Sequence, residues 1–115
     1  MAEKIIIDSV APEGIGDDLK GCYYKPRNDG AFDFFDRDGK RKARDLKPGS
    51  TFSFSLDELP DLEWTLTVNA IDDVKVNGGW SDRRKDGEVG EPEGTYQGQA
   101  GGGLDVESAA SASGY

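Results

Sequence analysis

The chain predicts an all-β fold, a small antiparallel barrel or sandwich of six to seven short strands with an extended Gly-rich C-terminal arm. Three observations carry this expectation. Apolar residues recur with period two, turn residues punctuate them at short intervals, and helical periodicity is hard to find. The leucines, isoleucines, valines and phenylalanines number 23 of 115, and 20 of them fall within residues 1–80. A modest core therefore fits the first 80 residues and not the remainder.

The elements follow in order. Ile5, Ile6 and Ile7 form a β-branched run that reads as a buried strand over residues 4–10. Pro12, Gly14 and Gly16 mark a loop after it. A short strand over 21–25 holds Cys22, Tyr23 and Tyr24 and is closed by Pro26. The turn Asn28-Asp29-Gly30 leads into a strand over 31–35. Asp38-Gly39 then separates two extended runs, and both residues tolerate the positive φ of a tight hairpin turn. The next strand covers 40–46, and Lys47-Pro48-Gly49-Ser50 is a turn. Phe52, Phe54 and Leu56 share one face of a strand over 51–56. Leu62, Trp64, Leu66 and Val68 share one face of another. Val74 and Val76 resume the pattern before a turn at Asn77-Gly78-Gly79.

From about Ser81 the composition changes. Residues 86–115 contain eight glycines and six acids with no base. Few apolar groups there offset ordering entropy, so the expected organisation is a compact domain over 1–80 and an acidic Gly/Ser/Ala-rich arm over 81–115. Tyr96, Leu104, Val106 and Tyr115 are the arm's candidate anchors on a partner. Deleting residues 86–115 is expected to leave the domain folded.

Several chemistries are excluded. The chain has no His, which removes the commonest general base and His-ligated zinc. Its single cysteine, Cys22, forms no intramolecular disulfide or multi-Cys cluster. Asp33, Asp36, Asp38, Gly39 and Asp45 suggest a calcium loop, but the alignment puts Phe34 where the first carboxylate belongs, and five bases crowd the loop. The pairs Asp17/Asp18, Asp57/Glu58 and Asp72/Asp73 sit in predicted loops, which disfavours a converging acid–base pair. No cofactor or metal is expected, and an enzyme is disfavoured. No apolar run spans a membrane and the N-terminus resembles no secretion signal, so the expected setting is soluble, cytoplasmic or virion-associated.

Three functions are compatible with this pattern. The first is a non-enzymatic structural or interaction protein, such as a subunit that decorates or cements a viral capsid, with a protein partner or a homo-oligomeric lattice. The second is a single-stranded nucleic-acid binder, stacking bases on Tyr23, Tyr24, Phe32 and Phe34 and holding phosphates with Lys40, Arg41, Lys42 and Arg44. In layout, a basic, aromatic-rich β domain followed by an acidic Gly-rich tail is similar to single-strand binding proteins. This tail ends Ser-Ala-Ser-Gly-Tyr, without their dense acidic tip. The net charge of −9 works against non-specific attraction to nucleic acid or anionic membrane. The third is a small acidic phage inhibitor of a host nuclease.

Overall fold

In the computed structural model, residues 4–85 and 92–101 are described, and they form one antiparallel sheet of eight strands. The strands are β1 (Ile5–Ala11), β2 (Tyr23–Pro26), β3 (Phe32–Phe35), β4 (Arg41–Leu46), β5 (Thr51–Leu56), β6 (Leu59–Ile71), β7 (Lys75–Arg84) and β8 (Glu93–Ala100). A 3-10 turn over Ile15–Leu19 links β1 to β2. Their order in space is β4-β3-β2-β1-β8-β7-β6-β5. Each strand therefore pairs with its neighbours in sequence, except at β4 and β5, while the β1–β8 ladder joins the two halves of the chain. The result is a nearly closed barrel with one seam. The all-β class holds, the barrel is the alternative realised, and the strands number eight rather than six or seven.

Alternation along the strands fills the interior. Ile5 and Ile7 of β1, Tyr24 of β2, Phe34 of β3, Leu56 of β5, Trp64, Leu66 and Val68 of β6, Val76 of β7 and Tyr96 of β8 are all essentially inaccessible. Rings from opposite walls touch: Tyr24 lies 6.3 Å from Phe52, and Phe34 lies 5.0 Å from Phe54. Since β2 and β3 thereby meet β5 directly, the two halves share one core instead of two facing sheets.

The seam has a local cause. The β3–β4 register shifts twice, pairing Phe34 with Ala43, Phe35 with Arg41 and Phe32 with Leu46. Each shift inserts an extra residue into β4, and Asp45 takes up a positive φ of 62° at the second. Bulges turn an edge away from its neighbour, so β4 forms no ladder with β5. Side chains bridge the gap at one end. Lys40 and Lys42 both reach Asp57, at 2.5 and 3.0 Å, and Arg37 reaches Glu58 at 2.7 Å.

Two expectations change. Asn77-Gly78-Gly79 is not a turn but the middle of β7, opposite Val68, Thr67 and Tyr96. The boundary expected at residue 80 falls inside the same strand, and residues 93–100 of the expected arm form β8, wedged between β1 and β7. Removing residues 86–115 would therefore take a strand from the middle of the sheet. β8 does alternate, with Glu93, Thr95, Gln97 and Gln99 exposed, but glycines fill inward positions where apolar side chains normally reveal a strand. A Cβ on Gly98 would stand 2.5 Å from the Ile6 carbonyl oxygen, so the close β1–β8 contact requires glycine there. Among the described residues no helix is long and apolar enough to cross a membrane.

Candidate interaction surface

A run of three consecutive isoleucines cannot face one side of a strand. Ile5 and Ile7 point into the core, and Ile6 lies on the opposite face of the strand, where it is still only 7% exposed. Cross-strand register continues the outer row from Ile6 to Tyr23 of β2, then to Phe35 of β3, then to Arg41 of β4. Tyr23 and Phe35, both half-buried, stack with ring centroids 5.1 Å apart and planes 7° from parallel. The Lys4 ammonium lies 4.6 Å from the Tyr23 centroid, and that of Lys25 lies 5.6 Å from the Phe35 centroid. The outer wall of β1–β3 thus carries an apolar row rimmed by cations. Burial raises the Tyr23 phenol's pKa, helped by the Asp36 carboxylate.

The nucleic-acid residues expected from sequence are divided by the fold. Tyr24, Phe32 and Phe34 lie in the core, because inward positions of β2 and β3 need large rings to fill the barrel, so they cannot stack on bases. Tyr23 alone of the four rings reaches the surface. Lys40 and Lys42 are held by Asp57, Arg41 lies 3.7 Å from Asp33, and Arg44 lies 3.8 Å from Asp45. Arg27 adds contacts to Asp29, Asp33 and Asp45. The basic run is thus largely paired within the barrel.

Tyr96 is also corrected, since it is 1% exposed and cannot anchor an arm to a partner. Its hydroxyl shares a 2.7 Å hydrogen bond with Tyr24 Oη and contacts the Thr67 carbonyl oxygen at 2.8 Å. Leu104, Val106 and Tyr115 lie outside the described residues.

The acidic candidates have local roles. One Asp36 oxygen accepts the amides of Asp38 and Lys40, shaping the β3–β4 turn, and Asp72 accepts those of Val74 and Lys75. Those amides lower the Asp72 pKa, while hydrogen bonds from Lys40 and then Lys42 lower that of Asp57. No group of three or more metal-ligating side chains converges among the described residues. No known family model matches the chain, and neither a search of curated proteins nor one of solved structures returns a match.

Burial raises the Tyr24 phenol's pKa, and it pushes both the Tyr96 phenol and the Cys22 thiol up to about 12. These groups stay neutral when folded, whereas the unfolded chain ionises near 9.0 for Cys and 10.0 for Tyr. The stability they contribute is complete below those values and lost as pH climbs toward the raised ones. Thermal melts should show a midpoint that falls between about pH 9 and 12. A midpoint that holds through that window would contradict the buried phenol pair.

Proposed function

We propose that this protein is a non-enzymatic interaction module that binds a protein partner through the outer face of β1–β3. The observation that carries the reading is the stacked pair Tyr23 and Phe35, half-buried on the outside of the barrel beside Ile6, which is itself only 7% exposed, and rimmed by Lys4, Lys25 and Arg41. The barrel interior, by contrast, is filled by Trp64, Tyr24, Tyr96 and Phe34. A barrel of eight strands holds either side chains or one small ligand, and here side chains occupy it. Clustered apolar surface with an aromatic centre and a charged rim is the anatomy of a protein-binding patch.

Decoration or cementing of a viral particle is one setting for such a module. The acidic-inhibitor alternative needs a rigid face of free carboxylates. Asp33, Asp57 and Glu58 are instead turned onto arginines and lysines. Single-stranded nucleic acid keeps only Tyr23 of its expected stacking residues.

The test substitutes both half-buried outer rings, Tyr23→Ser with Phe35→Ser, which leaves the core rings untouched. A partner captured by the natural protein and then purified should bind the double variant at least about tenfold more weakly, as loss of aromatic anchors does at protein interfaces. Equal affinity would sink the reading. Capture that disappears on nuclease treatment would replace it with the nucleic-acid one.

A further inference from the structure

The sheet has two edges, β4 and β5, and they are built differently. β4 carries Arg41, Lys42 and Arg44 and two register shifts, devices that keep an edge from pairing with a foreign strand. β5 lacks such protection. Thr51–Leu56 contains no charged residue, no proline and no glycine, and the extra residues of its one register shift lie on β6, between Leu59 and Trp64.

The direction of the β5 backbone follows from its approach to β6. The Val68 amide donates to the Ser50 carbonyl oxygen at 2.8 Å, so Ser50 faces β6. Successive residues of an antiparallel strand turn their amides and carbonyls to opposite sides. Phe52 and Phe54 therefore face β6, whereas Thr51, Ser53 and Ser55 turn theirs toward β4, which forms no ladder with them. A groove of about 560 Å³ runs between the two edges, walled by Arg41 and Lys42 on one side and by residues 53–57 on the other. Ala43 of β4 and Phe52 of β5, which share a face with the core residues Phe34 and Phe54, stay only partly buried at this seam.

We infer that the outer edge of β5 accepts an extended acidic segment of a protein partner as a ninth strand, laid into the groove between β5 and β4. The backbone groups of Thr51, Ser53 and Ser55 supply main-chain hydrogen bonds, and the side chains along the groove set the preference. Alternate residues of the segment point inward onto Phe52, Phe54 and Ala43, which calls for apolar side chains. The others point outward. There Lys42 is already paired with Asp57, and Glu63 has Arg83 opposite it on β7. Arg41 is 48% exposed and reaches Asp33 only at 3.7 Å, and Lys85 lines the same groove, so the outward positions suit carboxylates. A second copy fits poorly. Its β5 would bring β6 behind it, into the space where β4 stands.

The experiment titrates the isotopically enriched full-length chain with a blocked synthetic peptide of about eight residues that alternates glutamate and valine. Amide shifts should concentrate on Thr51, Ser53 and Ser55, and hydrogen exchange of those amides should slow by about tenfold or more at saturation. In the antiparallel sense of the rest of the sheet, the peptide amides facing β5 belong to the outward, glutamate positions. N-methylation of the glutamates should therefore abolish the shifts. A peptide alternating lysine and valine should bind several-fold more weakly.

Two variants of the protein complete the test. Ser53→Pro removes the central donor where an edge strand tolerates proline, so it should keep the β6 ladder and lose the peptide. Arg41→Glu, on an exposed side chain, should weaken the acidic peptide several-fold and favour the lysine one, and it decides the matter if Ser53→Pro unfolds. Pairing at β5 does not use Tyr23 or Phe35, so the Tyr23→Ser/Phe35→Ser variant should retain peptide binding. Absence of shifts at millimolar peptide, shifts centred on Tyr23 and Phe35, or equal binding of the N-methylated or lysine peptide would each overturn the inference. Exchange protection at Ser53 that rises with protein concentration alone would overturn it too, by assigning the edge to a second copy.

Discussion

Replacing Gly78 with alanine is expected to destabilise the barrel by about 3 kcal/mol or more, at or above the upper end of ordinary overpacking costs. A Cβ there would stand 1.9 Å from the Thr67 carbonyl oxygen and 2.7 Å from the Tyr96 hydroxyl. The first contact is with backbone in the centre of the β6–β7 ladder, so relief requires moving a strand and not a side chain. The same shift would break the hydrogen bond between Tyr96 and Thr67. For a domain of this size the midpoint of thermal unfolding should fall by roughly 12 °C or more. Gly79→Ala is the control, because Gly79 faces outward and its Cβ would meet only the Thr67 hydroxyl oxygen, at 3.2 Å, and a backbone oxygen at 3.5 Å. It should stay within about 1 kcal/mol of the natural protein, since alanine recovers the entropy that glycine forfeits in a strand. Equal effects at the two positions would show that Gly78 is not the crossing point of Tyr96 over β7.

Tyr96→Ala should cost still more. Truncating a buried aromatic ring removes about 3–5 kcal/mol. Here it also leaves the Thr67 carbonyl and the Tyr24 hydroxyl without their partner, at a further ~1–3 kcal/mol for each buried group left unpaired. That sum approaches the whole stability of a typical small domain, so the variant should be largely unfolded at ambient temperature. Tyr96→Phe keeps the ring and loses only the hydroxyl, so its cost should be a few kcal/mol at most. Denaturant unfolding of the three proteins measures the series. A Tyr96→Ala variant as stable as the natural chain would return Tyr96 to the role of an arm anchor outside the domain.

The strands with large apolar side chains at alternate positions were legible from sequence. β5 emerges at its observed bounds, because Phe52, Phe54 and Leu56 alternate with Thr51, Ser53 and Ser55 without interruption. β6 is longer than its apolar stripe suggests, since Pro60-Asp61 and Asn69-Ala70 interrupt the alternation while Leu59 and Ile71 at its two ends still pack against the core. β7 and β8 were harder to read. Gly78, Gly94 and Gly98 read locally as turn or coil, yet they are the places where neighbouring backbones or a tyrosine ring come too close for a Cβ.

The interaction surface shows the same division. Tyr23 was identifiable as a candidate, but Tyr24, Phe32 and Phe34 could not be told from it by residue type. Phe35 and Ile6 gained significance only through register, which sets Ile6, Tyr23 and Phe35 side by side across three strands. The signal available in advance was parity. Ile6 has the opposite parity to Ile5 and Ile7, and Phe35 the opposite parity to Phe34, so each must leave the core if its neighbours enter it.

Strand class, the tight turns at Asp38-Gly39 and at Lys47-Pro48-Gly49-Ser50, and the lack of histidine chemistry are properties of residue type and short-range spacing, and the amino-acid order alone establishes them. Whether the sheet closes, where it fails to close and which aromatic rings reach solvent depend on contacts between residues far apart in the chain. The β1–β8 ladder and the Tyr24–Tyr96 bond, which spans 72 positions, are two such contacts. Period-two alternation specifies that a residue lies on one of two faces, but only pairing with a distant strand fixes which face becomes the inside.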